Sequence, residues 1–110
     1  MLEVMKMNEF KGTPGPWEIK PEEVDRSYIR IRGTRLGGRF KVANVLSPDY
    51  DGVHHREAEE TRANSRLIAA APELLEALEM LVVFTTPTKR NAAALSKAHA
   101  AIAKALGESK

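Results

Sequence analysis

Between Arg26 and Lys41 the chain carries six basic side chains and no acid. Tyr28, Arg30 and Arg32 alternate with Ile29 and Ile31, a period of two that predicts a strand with one cationic and one apolar face. Arg39 and Lys41 repeat the pattern, with Phe40 and Val42 opposite. If the two strands pair, four cations share one surface. Guanidinium forks grip phosphate through two parallel hydrogen bonds, so the chemistry in view is recognition of a small anionic nucleotide. Tyr28 or Trp17 would contact a base. The competing reading is a solvated strand face whose charges discourage edge-to-edge pairing.

Other residues are weaker as chemistry. His54 and His55 stand near Asp49, Asp51 and Glu57, but adjacent histidines diverge, and no spacing here matches a zinc pattern. No metal and no cofactor is expected, and His54 is read as a ligand contact at the junction of the two halves of the chain. Ser47, Ser65 and Ser96 lack a Gly-x-Ser-x-Gly elbow, and the run Glu57, Glu59, Glu60 reads as a solvated helix start. The expectation is a protein that is not an enzyme. Asn64 falls on the apolar side of its predicted helix, where an amide needs a hydrogen-bond partner. With Arg66 it would complete the wall of a ligand pocket. The glycine-rich connector from Gly33 to Gly38 does not have the phosphate-cradling pattern and leads into no helix.

The elements that position these residues follow from periodicity. Residues 1–12 have no clear period and read as a flexible leader. Thr13-Pro14-Gly15-Pro16 enforces an extended or turning path. Trp17–Ile19, Tyr28–Arg32 and Arg39–Leu46 then form an antiparallel β-meander over residues 13–46. Ser47 to Gly52 marks the boundary, and residues 53–107 are helical. Asn64, Leu67, Ile68 and Ala71 define the face of the first helix. Pro72 opens a second, with Ala71 extended before it. Leu74, Leu75, Leu78, Leu81 and Val82 form that helix's stripe. Thr86 or Thr88 caps an alanine-rich third helix over residues 89–106, and Gly107 ends it. The fold class is α+β: a three-stranded meander followed by three helices, a single domain from residue 13 to 110.

Composition excludes several classes. The chain of 110 residues has no cysteine and a formal charge of +2, which removes disulfide scaffolds and thiolate chemistry. The start of the chain lacks a signal-peptide pattern, and the apolar run Leu81–Phe84 is too short to span a bilayer. A cytoplasmic protein with no membrane partner is expected. Glu73, Glu76 and Glu79 lie in a stretch without cations, and Lys89, Arg90, Lys97 and Lys104 in one without acids. Opposite charges on separate elements, with alanine-rich helices and a small core, favour a homo-oligomer.

Two blocks also carry a resemblance. Thr13–Trp17 (TPGPW) and Ala63–Glu79 (ANSRLIAAAPELLEALE) resemble a group of small phage and prophage proteins that pair a TPGPW lead-in with an ANARLIAAAPELLEALE helix pair. Ser65 stands where alanine is commoner, on what reads as a surface or near-surface position. The resemblance implies an accessory phage product without a catalytic motif, at work in the bacterial host cell. Accessory phage products often counter host defence, some as oligomeric sponges for nucleotide signals. Sequestration of such a signal is therefore the leading expectation. Alternatives are inhibition of a host defence protein or nucleic-acid enzyme through the acidic helix face, and nucleic-acid binding through the basic hairpin.

Overall fold

The computed structural model describes residues 10–35, 40–46 and 55–108. Three strands, β1 (Trp17–Ile19), β2 (Tyr28–Gly33) and β3 (Phe40–Leu46), precede three helices, α1 (His55–Ala69), α2 (Ala71–Phe84) and α3 (Ala92–Ala105). The strands form an antiparallel sheet in the order β1-β2-β3. This is the expected α+β fold. The chain divides into two compact units, Thr13–Glu73 and a second that comprises the residues before Thr13 and those from Leu74 onward. Residues 1–9 of the expected leader, and the expected β-to-α boundary at Ser47–Gly52, lie outside the described residues.

In the first unit, the β-branched residues of β2 carry the core. Ile31 is fully buried and Ile29 nearly so. Gly33, the next residue on that row, pairs with Trp17 on one side and Phe40 on the other. A side-chain carbon on Gly33 would lie 2.8 Å from Thr13 Cγ2, so the end of β2 has room only for glycine. Helix α1 covers this face, touching all three strands.

The face α1 presents to the sheet differs from the one expected. Thr61 and Ser65 are buried, whereas Asn64 is exposed and Leu67 is 64% exposed. Small side chains let the helix axis come close to the sheet, and this close approach outweighs the larger apolar area of Leu67. Ser65 Oγ donates to the carbonyl of Thr61 at 2.8 Å, which satisfies the hydroxyl inside its own helix. Ser65 is therefore a core position and not a near-surface one.

Only Ala70 separates α1 from α2. Proline is tolerated in a first helical turn because its missing N–H would have had no partner there. Ala71 is already helical rather than extended, one residue earlier than the sequence suggests.

In the second unit, Thr88 and Asn91 close the turn before α3 reciprocally: Asn91 N donates to Thr88 Oγ1 at 3.2 Å, and Thr88 N donates to Asn91 Oδ1 at 2.8 Å. The N-cap of α3 is Asn91, with no side-chain bond into the helix, so neither Thr86 nor Thr88 caps it as expected, and the helix starts at Ala92. Gly107, at φ +80°, ends α3. Glu108 N bonds the Ala103 carbonyl and Gly107 N that of Lys104, the double closure of a Schellman motif. Neither α2 nor α3 has a buried residue.

Candidate functional site: the outward face of the sheet

Antiparallel partners point to the same side of a sheet, so the pairing fixes which residues share the face that α1 leaves open. One row across the strands is Glu18, Arg32, Lys41; the next holds Arg30 and Asn44; Tyr28 and Leu46 follow. Tyr28, Arg30, Arg32 and Lys41 thus converge as the alternation implies. Arg39 and His54 lie outside the described residues.

A bulge shapes this face. Ile31 pairs with Ala43 but Arg32 with Lys41, leaving Val42 as the extra residue of β3. The insertion reverses the alternation of β3 beyond it and places Asn44 outward beside the arginines. It also gives Arg32 its seat. Nη1 donates to the carbonyls of Ile31 (2.9 Å) and Ala43 (3.1 Å), and Nη2 donates to Asn44 Oδ1 (3.1 Å). Three neutral acceptors orient the guanidinium, and none of them cancels its charge. Lys41, directly opposite, has no acidic partner among the described residues. Two like charges side by side repel unless something anionic joins them.

The remaining cations are compensated. Arg30 Nη2 is 2.8 Å from Glu23 Oε1 and donates to the Pro21 carbonyl at 3.2 Å. The other oxygen of Glu23 takes Arg26 Nε at 2.9 Å. Arg26 also donates to the Tyr28 hydroxyl, and its guanidinium carbon sits 5.7 Å from that ring's centre. The hydrogen bond it donates to Tyr28, then the charge of Glu23, raises the Arg26 pKa above its ordinary value. Lys20 pairs with Glu18. The expectation of a face without interspersed acids is therefore corrected. Glu18 arrives through the register of β1, and Glu23 through the turn before β2 that Arg26 N closes onto the Glu23 carbonyl.

Trp17 belongs to the other face. It shares the row of Gly33, and its Nε1 donates to the Thr13 carbonyl at 2.9 Å. Asn64 and Arg66 are exposed positions of α1, the helix that covers that other face, so they do not join Arg32 and Lys41. The cluster reduces to Arg32, Lys41 and Asn44, with Arg30 and Tyr28 beside it. Asn44 was not legible as a site residue, because only the bulge turns it outward.

Among the described residues no helix is long and apolar enough to cross a membrane. Comparison with curated proteins and with solved structures finds no match. The family model described as Salmonella phage P22 protein Y8K6 matches residues 5–109, nearly the whole chain, and the protein belongs to that phage protein family.

Proposed function

We propose that this phage protein is a non-catalytic binder of a small anionic nucleotide, held over the outward face of the sheet at Arg32 and Lys41. The observation that carries the reading is the pinning of Arg32 by neutral acceptors, opposite Lys41, which has no acidic partner among the described residues. A guanidinium already fixed in orientation loses little freedom when a phosphate docks on its remaining donors. Asn44 supplies an adjacent amide and Tyr28 a ring at the edge of the same face. Arg30, already neutralised by Glu23, contributes position more than charge.

Such a chain acts by stoichiometric capture, which suits sequestration of a nucleotide signal of host defence. Capture needs cations and shape but no general base. Isothermal titration of the full chain against cyclic dinucleotides, cyclic trinucleotides and ADP-ribose derivatives tests this. Saturable binding of one class, lost in Lys41→Glu and with the ligand recovered unchanged, supports it. Absence of binding across the panel at micromolar protein overturns it. Binding only to long DNA or RNA, falling steeply with salt, would reassign the face to nucleic acid.

A further inference from the structure

The two helices of the second unit carry a feature that ligand capture does not use. Leu74, Ala77, Leu81 and Phe84 recur along α2 at spacings of three, four and three, the seam of a helix made to pack against another. All four are exposed, Leu81 at 64% and Phe84 at 77%. A separate stripe, Leu75, Leu78 and Val82, is half-buried. Helix α2 is thus apolar around most of its circumference, a pattern that belongs to helices covered on more than one side.

Charge says what covers it. Glu73 and Glu76 border the exposed seam, and α2 contains no basic residue. Helix α3 is the complement. It contains Lys97 and Lys104 and no acid. Ala93, Lys97, Ala100 and Lys104 form one exposed row at spacings of four, three and four. Alanines admit a close neighbour, and lysine stems extend apolar cover to its flanks. Seam against seam would instead set glutamates beside glutamates.

We propose that α2 and α3 are the self-association surface of this protein. The Leu74–Ala77–Leu81–Phe84 seam of one copy seats on the alanine–lysine row of α3 in a second copy, with Glu73 and Glu76 beside that copy's Lys97 and Lys104. A two-fold arrangement makes the contact twice and covers both seams.

Light scattering on the full chain over a range of concentration is the test, with circular dichroism to confirm folding. The wild type associates, and Leu81→Glu, at an exposed position, weakens association at least about tenfold while remaining folded. Two charge-reversed chains supply the decisive arm, E73K/E76K and K97E/K104E. Each alone is repelled from its own kind, and an equal mixture restores the complex. A wild type that is monomeric at about 100 μM overturns the proposal. So does association that Leu81→Glu leaves unchanged, or a mixture that pairs no better than either reversed chain alone.

Discussion

Gly15 and Pro72 lie against each other: a side-chain carbon on Gly15 would fall 2.6 Å from Pro72 Cβ. The lead-in to β1 is thereby set against the break between α1 and α2, so the two sequence blocks that carry the phage resemblance meet at this point. Neither residue does chemistry here. Their contact joins the start of the sheet to the end of the helix that covers it.

Gly15→Ala is expected to destabilise the protein by about 1–3 kcal/mol, because the ring of Pro72 cannot swing aside as a flexible side chain would. Pro72→Gly removes the opposing carbon. In a double-mutant cycle followed by urea unfolding, the Gly15→Ala penalty shrinks in the Pro72→Gly background. Equal penalties in both backgrounds would show that the contact is not tight.

At Ser65 the size of the side chain matters more than its hydroxyl. The hydroxyl bonds only to its own helix, so Ser65→Ala shifts stability by less than about 0.5 kcal/mol. Ser65→Leu pushes α1 off the sheet and costs about 1–3 kcal/mol. Thermal melts of the two variants, read side by side, check this ordering.

Asn44→Asp places a carboxylate on Arg32 in place of the neutral amide. The fold keeps its melting temperature, while nucleotide binding falls at least about tenfold, because the compensated guanidinium no longer attracts phosphate. Titration calorimetry with the best ligand of the panel measures this. Undiminished affinity would remove Arg32 from the site.

Two carboxylates give the pH dependence opposite signs. Hydrogen bonding from Arg62 holds Glu22 below its ordinary pKa. Its contribution is therefore complete above the ordinary carboxylate range and is lost as pH falls through the folded value. The pair is solvent-exposed, with Arg62 Nε 2.9 Å from Glu22 Oε2, so the effect is small and fades in salt. Burial, then the charge of Glu76, raises the pKa of Glu79. Its ionised form is penalised at neutral pH, and stability recovers as pH falls through the raised value. Urea midpoints from about pH 7 to pH 3 lose the first slope in Glu22→Gln and the second in Glu79→Gln.

Element types were legible because each follows from a local rule. Alternation around Ile29 and Ile31 marks β2, Pro72 opens α2 and Gly107 closes α3. The α1 face was not legible, because apolar weight points to Leu67 while the sheet selects the small Thr61 and Ser65 for close approach. At the site, the convergence of Arg30, Arg32 and Lys41 follows from alternation alone. What neutralises Arg30 and what orients Arg32 do not. Glu23 lies outside the basic stretch and reaches it through a turn. The bulge at Val42 carries no glycine or proline to announce it, and without it Asn44 would have been assigned inward.

That same extra residue has a consequence away from any ligand. Among the described residues β3 is an edge strand, and an edge strand is where a further strand from another chain could pair. An incoming strand of regular pleat cannot keep step along β3, because its two halves are out of phase at Val42. Lateral growth of the sheet from molecule to molecule is hindered at that point.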